Sequence, residues 1–388
     1  MKKIIAVIMV FAVMFTLLNL TSVSAMNDKT ESNLLEKQNE QAYKFKMFND
    51  MMNEEKNNVS FNEIYGGVYF EDTTLFINVV EHNVERFKNN YNLGVEYEVK
   101  NVIYSLKKLE EVKEIVLQNI ADLKIREISV DIIKNKVVIL SELPISEFKN
   151  KLSNDIDFDT LEVKTLIPEI DYNVKYTVNG HAYVIRQSQC TVGFAAKDSN
   201  GNPGFVTAGH CVVLSGSTTG TDVYYDGYHA GDVASGWHFE DGDVDGAFIK
   251  LRDPWIGTTW LPSRSLIFGG SYYTVGTFSS YYAIGTSVSF HGTFAADGGI
   301  NTAVENGQIT GNGITIIDDN YNVLYVDMFS TDIETHHGDS GGPLTLTFYI
   351  GEGYYETNVI GVLSLGIDGN SYFSKAINIL SELNLSVY

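Results

Sequence analysis

Glycine is distributed very unevenly along the chain, and this asymmetry most limits the folds that the sequence can adopt. Only three of the 34 glycines, Gly66, Gly67 and Gly94, precede residue 180. Lysine and arginine have the opposite distribution: only six of the 27 lie from residue 177 onward. Glycine suits tight turns and weakens helices. The sequence therefore predicts two units, with a boundary between about 168 and 178 and with short strands and turns in the second unit.

The first 25 residues have the pattern of a secretory signal peptide. They begin with two lysines, continue with an almost wholly apolar run over 4–18, and end in the small residues 23–25, which suit a cleavage site. An uncleaved membrane anchor is the alternative, but the apolar run is short for a spanning helix. We therefore expect an exported protein that has no membrane segment after cleavage.

Size and charge limit the partners that the chain can have. It has 388 residues, of which 44% are hydrophobic, so it can bury a full core. The net charge of −22 argues against nucleic acid as a partner. No motif indicates a cofactor or a resident metal, and we expect a monomer.

The chain has two cysteines, Cys190 and Cys211. In an exported protein an even count predicts a disulfide, with two buried free thiols as the alternative. The bond would close a loop of about 20 residues and contribute roughly 3 kcal/mol to stability.

Residues 26–176 have the pattern of a small α+β domain. A polar segment over 26–60 predicts a flexible or helical lead-in. The stretch "GGVYFEDTTLFINVV" predicts two strands around a turn at Glu71-Asp72, and "REISVDIIKNKVVILSEL" predicts a hairpin that turns at Lys134-Asn135. Between them, "SLKKLEEVKEIVLQNIADL" has helical spacing. The unit contains one histidine, His82, and no catalytic set, so we expect it to act on the other half.

Residues 177–388 alternate short apolar stretches with glycine, serine, asparagine and aspartate. Examples are "CTVGFAA", "GFVTAG", "AFIKL" and "VIGVLSL", and helical periodicity occurs only near the end, in "SKAINILSEL". This pattern predicts an all-β sandwich or barrel.

The stretch "HHGDSGGPL" places Ser340 between glycines, in a context that suits either a nucleophile or an ordinary tight turn. A serine hydroxyl needs a base and an orienting acid to become nucleophilic. "FVTAGHC" offers His210 as the base, at the end of an apolar run and beside Cys211. A disulfide there would fix the orientation of the imidazole.

The acid comes from "DGDVDGAFIKL", which has two interpretations. Asp241, Asp243 and Asp245 fit the opening of a calcium loop, but Arg252 stands where such a loop needs a glutamate. The favoured interpretation is that Asp245 opens a buried strand and orients His210.

In the order His210, Asp245, Ser340, the motifs "TAGHC", "DGAFIKL" and "GDSGGP" resemble the chymotrypsin-like serine protease family. "QCTVGFAAKDSNGNPGFVTAGHC" is similar to the bacterial streptogrisin and α-lytic protease branch, and residues 64–148 more weakly resemble its pro-region. The resemblance implies an all-β fold of two six-stranded antiparallel barrels with a C-terminal helix, preceded by a small α+β pro-domain.

The resemblance also implies roles for single residues. Ser340 attacks the scissile carbonyl, His210 transfers the proton and Asp245 holds the imidazole. The backbone N–H groups of Gly338 and Ser340 form the oxyanion hole. Ser364 supports the buried aspartate, and the backbone of Gly366 pairs with an extended substrate.

The specificity pocket is less well defined by the sequence. Leu363, Leu365, Tyr372 and Phe373 are its candidate lining and favour an apolar side chain before the scissile bond. Glu334 would favour a basic side chain there, and His336 with His337 would favour an acidic one, unless these polar residues are simply solvated.

The sequence departs from the branch at two points. It has no cysteines left for a second disulfide beside the pocket. Phe290 stands where the branch commonly has an arginine that pairs with the aspartate before the nucleophile, here Asp339. Arg264 and His291 are the remaining candidates for that pairing.

Together these features predict a secreted serine endopeptidase that is made as a zymogen. Residues 1–25 would be the signal peptide, 26–176 a pro-region that assists folding and inhibits, and 177–388 the protease domain. Its partners would be polypeptide substrates and its own pro-region. The alternatives are an inactive binding protein of the same fold, and a calcium-binding surface protein that uses residues 241–246.

Overall fold

The computed structural model describes most of the chain in separate ranges. These are 33–55, 58–152, 156–165, 182–185, 188–214, 216–225, 228–234, 244–251, 265–268, 271–275, 282–292, 303–318, 320–336, 338–351, 354–367 and 369–387. The predicted signal peptide and the predicted boundary at 168–178 lie outside them.

The N-terminal half is a mixture of helices and strands. In chain order it contains α1 (33–55), α2 (Val59–Asn62), β1 (Tyr65–Glu71), β2 (Thr74–Val80), α3 (Val84–Asn90), β3 (Glu98–Val102), α4 (Leu106–Leu117), α5 (Ile120–Leu123), β4 (Ile125–Asp131), β5 (Lys136–Ser141), α6 (Ile145–Lys151), a 3-10 turn (Phe158–Thr160) and β6 (Leu161–Thr165).

The C-terminal half consists mainly of strands. It contains β7 (Ala182–Ile185), β8 (Ser188–Thr191), β9 (Phe194–Lys197), β10 (Pro203–Thr207), α7 (His210–Leu214), β11 (Asp222–Tyr225), β12 (Tyr228–Val233), β13 (Ala247–Leu251), β14 (Ser265–Phe268), β15 (Ser271–Val275), β16 (Ser287–Gly292), β17 (Ala303–Ile317), β18 (Val323–Thr331), β19 (Pro343–Gly351), β20 (Tyr354–Ile367), β21 (Asn370–Lys375), α8 (Ala376–Glu382) and β22 (Ser386–Val387).

Local sequence signals explain the elements of the N-terminal half. The β1–β2 hairpin turns at Asp72, which adopts a left-handed φ of 53°, and the β4–β5 hairpin turns at Asn135, with φ of 55°. Helix α4 begins after Ser105, whose hydroxyl accepts from the backbone N–H of Lys108 and so caps the helix. The predicted hairpins and helix are confirmed.

Two apolar cores divide the N-terminal half into two lobes. The first lobe packs α1 and α3 against the sheet β1-β2-β3, around buried residues that include Phe48 and Leu75. The second lobe packs α4 and α6 against β4, β5 and β6, around buried residues that include Val116 and Phe148.

Two further sheets form the C-terminal half. One has the strand order β22-β9-β10-β13-β12-β11-β7-β8, and the other follows β14-β15-β20-β19-β16-β17, with β18 and β21 alongside. This arrangement of mostly antiparallel strands, with α8 near the end, agrees with the all-β fold predicted for this half of the chain. The closure of each sheet into a six-stranded barrel stays a prediction.

The second of these sheets continues into the N-terminal half. Strand β17 pairs antiparallel with β4, and Thr315 stands opposite Ile128. The compositional boundary near residue 176 therefore does not separate the two halves in space. None of the helices in the described part of the chain is long and apolar enough to cross a membrane.

Candidate active site

The register of two strands brings Asp245 to His210. Strands β10 and β13 are antiparallel neighbours, and Thr207 at the end of β10 stands opposite Ala247 at the start of β13. His210 lies three residues after Thr207, as the first residue of α7, and Asp245 lies two residues before Ala247. Both side chains therefore belong to the same end of one strand pair.

Asp245 holds His210 with both of its carboxylate oxygens. Its Oδ2 lies 2.6 Å from Nδ1 of the imidazole, and its Oδ1 accepts from the backbone N–H of His210 at 2.8 Å. The aspartate is fully buried, so water does not compete for these contacts. With Nδ1 donating to Asp245, Nε2 is the ring nitrogen that can accept a proton.

Ser374, which the sequence analysis missed, supports Asp245. The hydroxyl oxygen of Ser374 accepts from the backbone N–H of Asp245 at 2.9 Å, and it lies 3.0 Å from the hydroxyl of Ser364. Ser364, for which the resemblance implies a supporting role, is thus connected to the aspartate through Ser374. Ser374 stands opposite Val362 across the β20–β21 pair, so only knowledge of that pairing identifies it.

Thr191 ties the loop of Ser340 to the strand beside His210. Its backbone N–H donates to the carbonyl of Ser340 at 2.7 Å, and its hydroxyl donates to the carbonyl of Gly338 at 2.8 Å. Thr191 follows Cys190, and the predicted disulfide between Cys190 and Cys211 is present. Two hydrogen bonds therefore connect the Ser340 loop to Thr191. The disulfide then connects Cys190, the neighbour of Thr191, to Cys211, the neighbour of His210.

The glycines around Ser340 have conformations that other residues rarely adopt. Gly338 has φ of 97° and Gly341 has φ of 88°. A side chain on Gly341 would also overlap the hydroxyl of Thr207 and the carbonyl oxygen of Thr191. The Ser340 loop therefore lies directly against the chain that leads to His210, and Gly341 permits that approach.

Asp339 is buried beside the loop backbone. Its Oδ2 accepts from the backbone N–H of His336 at 2.9 Å, and its Oδ1 faces Gly292, where a side chain would overlap it. The glycine at the end of β16 is therefore needed to accommodate this carboxylate.

The candidate cationic partners of Asp339 do not include His291. Burial lowers the pKa of His291 to about 3, so its ring is neutral at neutral pH. Its Nε2 instead lies 2.9 Å from the hydroxyl of Thr345. Phe290, which replaces the expected arginine, is buried in the core, and Arg264 lies outside the described residues.

The backbone of residues 364–366 is placed to receive an extended chain. Strand β20 pairs with β21 through this stretch, but its ladder with β19 ends where Val362 faces Pro343. Among the described residues, no strand pairs with the second edge of 364–366. Gly366 is exposed and Leu365 is partly exposed, as substrate contacts need to be.

Leu363 differs from its predicted position as a pocket residue. Its side chain is buried in an apolar core together with Phe373, another candidate pocket residue. The backbone of Leu363 instead holds the Ser340 loop. Its carbonyl accepts from the N–H of Gly341 and its N–H donates to the carbonyl of Gly342, both at 2.9 Å.

Of the polar specificity candidates, Glu334 is exposed and His336 is partly buried, and His337 lies outside the described residues.

The residues of the predicted calcium loop and of one cysteine–histidine cluster have other partners. Both oxygens of Asp245 accept from His210, which disfavours a calcium loop, and Asp241 and Asp243 lie outside the described residues. The cluster of Cys190, His210 and Cys211 has its sulfurs in the disulfide.

On the β11–β12 hairpin, a second group brings together Asp222, His229 and Asp232. Nε2 of His229 lies 3.4 Å from Asp222, 3.2 Å from Asp232 and 2.9 Å from the carbonyl of Gly231. These contacts form a network between the two strands.

Comparisons with known proteins give one family match and several similar solved structures. A family model described as Trypsin matches residues 177–379, just over half of the chain. A comparison with curated proteins finds no match.

Among solved structures, a Nocardiopsis protease is 25% identical, with a TM-score of 0.38, and the alignment covers 54% of this chain and 96% of that chain. Thermobifida fusca protease A is 24% identical over 54% and 96% of the two chains, with a TM-score of 0.38. A Cellulomonas bogoriensis chymotrypsin is 24% identical over 54% and 97%, also with a TM-score of 0.38.

Proposed function

The chain belongs to the trypsin family of serine proteases, and on that premise we propose that it is a secreted endopeptidase that uses Ser340 as its nucleophile. The observation that carries the proposal is the double contact from the buried Asp245 to the ring and backbone of His210. This contact orients the imidazole so that its Nε2 can take part in proton transfer. The motifs around Cys190 favour the streptogrisin and α-lytic branch.

The proposed reaction has two stages. The Ser340 hydroxyl attacks the carbonyl carbon of the scissile peptide, and its proton moves to Nε2 of His210. The tetrahedral intermediate collapses, the C–N bond breaks, and the amine leaves with that proton. Water then attacks the ester carbon while His210 accepts a proton from it. The C–O bond to Ser340 breaks as His210 returns that proton to the serine oxygen, and the acid product leaves. Asp245 keeps the imidazole in one tautomer throughout.

The backbone N–H groups of Gly338 and Ser340 are proposed to stabilise the oxyanion. The carbonyls of the same two residues accept from Thr191, which fixes the peptide plane that follows each donor residue and so limits the movement of the loop. Such prepositioned donors lower the barrier because they need no reorganisation during the reaction. The substrate would lie along Ser364, Leu365 and Gly366 as an added strand.

Hydrolysis by the purified protein, compared with Ser340→Ala, tests the proposal. We expect the alanine variant to keep its circular dichroism spectrum and lose on the order of 10^6 in kcat. Ser199→Asn, at an exposed position in the turn after β9, is a control that should leave turnover unchanged. Hydrolysis by Ser340→Ala at the wild-type rate would refute the assignment, and no hydrolysis by either protein would favour an inactive homologue.

We also propose that residues 26–176, called the leader from here on, assist folding and then inhibit. Glu127 of β4 accepts from the hydroxyl of Tyr372 at 2.9 Å, and Tyr372 stands opposite Leu365 of the proposed substrate strand. The leader thus contacts β21, and only β20 separates that strand from the edge where a substrate would lie.

Refolding tests the leader. The protease half depends on long-range strand pairing, which makes folding slow. We expect residues 177–388 to refold without activity when alone and to gain activity when residues 26–176 are added. Unassisted refolding to full activity would refute the assisting role.

A further inference from the structure

The segment 282–287, called the bridging segment, belongs to the protease half but lies buried in the leader. Ala283 packs in the core of the first lobe and Ile284 in the core of the second. Ile284 also forms a parallel bridge with Tyr69, and its carbonyl accepts from Phe70 at 2.8 Å. All six residues are buried. This contact uses other elements than the β4–β17 pairing and is therefore a second interface.

Two buried glutamines of α1 bind the backbone of the bridging segment. Gln41 donates from Nε2 to the carbonyl of Gly285 at 3.1 Å and accepts at Oε1 from the N–H of Ser287 at 2.8 Å. Gln38 donates from Nε2 to the carbonyl of Ser287 at 3.1 Å. The side-chain amides thus make the hydrogen bonds that a neighbouring strand would otherwise make.

The buried face of α1 consists of two glutamines followed by two phenylalanines, and three of these four residues contact the bridging segment. Gln38, Gln41, Phe45 and Phe48 are its buried residues and follow each other at intervals of three and four, so they share one face of the helix. The ring of Phe45 stacks on Tyr282 of the bridging segment, with the centroids 6.4 Å apart. A buried amide is costly unless it is hydrogen-bonded. The bridging segment supplies three such bonds, Asp72 of the leader accepts a further one from Gln41, and Oε1 of Gln38 has no partner among the described residues.

The bridging segment leads directly to the nucleophile loop. Ser287 is the first residue of β16, and Phe290 of β16 stands opposite Leu344 in β19, the strand that follows Ser340. Gly292, at the other end of β16, lies against the carboxylate of Asp339. Because a slip of one residue would turn every side chain of a strand to its other face, the register of β16 decides whether this loop forms.

We propose that Gln38 and Gln41 set the register of β16 as the protease half folds, so that α1 is a template for the nucleophile loop. Gln41 binds Gly285 and Ser287, two positions apart on the chain, and this spacing selects one register. The proposal rests on the leader's proposed role in folding. It assigns that role to one helix face and to one strand, and it makes both glutamines positioning residues for maturation rather than for turnover.

The test uses the full-length chain with Gln41→Leu, which keeps the size of the side chain and removes its hydrogen bonds. Labelling with a fluorophosphonate measures the fraction of chains that mature, and turnover per labelled chain measures catalysis. We expect the labelled fraction to fall roughly tenfold or more, with turnover per labelled chain unchanged. Glu36→Ala, on the exposed face of the same helix, is the matched control and should mature normally.

Hydrogen exchange in the inactive Ser340→Ala chain separates a template effect from general unfolding. Gln41→Leu should reduce protection at Ser287 and along β16 while β1 and β2 stay protected. Loss of protection throughout the leader would overturn the proposal, as would normal maturation of Gln41→Leu. If the protease half instead matured without any leader, the leader's proposed function itself would fail.

Discussion

Gly341→Ala should damage both the stability and the activity of the protease half. At φ of 88° a side chain is strained whatever space surrounds it, and a Cβ here would also overlap Thr207 and Thr191. Gly201 provides a matched control, because its φ of 79° carries the same strain but no atom lies within 4 Å of an added Cβ.

The two variants separate strain from contact. A left-handed alanine costs roughly 1–2 kcal/mol, so this is the whole loss expected for Gly201→Ala. Forcing the overlap at Gly341 should add about 1–3 kcal/mol. Because the overlap moves the loop that carries Ser340, a displacement near 1 Å would also lower kcat by roughly 10²-fold.

Denaturant unfolding measures the free-energy losses, with Ser340→Ala as the background so that the protein does not cleave itself. Peptide hydrolysis measures kcat on the active background. Equal free-energy losses in the two variants, together with an unchanged kcat for Gly341→Ala, would refute the inferred contact between the Ser340 loop and the chain leading to His210.

Three other experiments test separate parts of the account. Asp245→Asn should lower kcat by about 10^4 by favouring the wrong imidazole tautomer, while Asp222→Asn should leave kcat unchanged. A larger loss for Asp222→Asn than for Asp245→Asn would show that Asp245 is not the orienting acid. Replacing Cys190 and Cys211 by serine should cost about 2–5 kcal/mol and lower activity, and two alkylatable thiols in the unreduced wild type would contradict the disulfide. Burial raises the pKa of Glu127, and this effect exceeds the lowering by the hydrogen bond from Tyr372. Binding of the leader to the protease half therefore favours the protonated carboxyl. The leader's affinity should therefore be full below the ordinary carboxyl pKa and fall as pH rises through the raised value; equal pH dependence in Glu127→Gln would contradict this.

Local signals made much of the fold predictable. The β1–β2 and β4–β5 hairpins follow from alternating apolar residues around polar turns, and α4 follows from helical spacing after a serine cap. His210, Asp245 and Ser340 stand in motifs whose spacing is specific enough to identify the family. These features depend on residues that are close together in the chain, and such local patterns can be read directly from the sequence.

Features that depend on distant pairing could not be predicted. Ser374 and Thr191 look like ordinary strand serine and threonine residues until the sheets place them against Asp245 and the Ser340 loop. The polar segment 26–60 predicted a flexible or helical lead-in, and no local signal indicated that Gln41 binds a strand 244 residues away. The burial of Leu363 and Phe373 in one apolar core depends likewise on the packing of distant strands, which no local pattern displays.

Active-site titration tests the central claim most directly. An activated ester of a short peptide should release a burst of leaving group equal to one per chain, and mass spectrometry of the trapped ester should place the acyl group on Ser340. Ser340→Ala should give no burst. An acyl group on another residue, or steady hydrolysis of peptides by wild type without any ester on Ser340, would contradict the account.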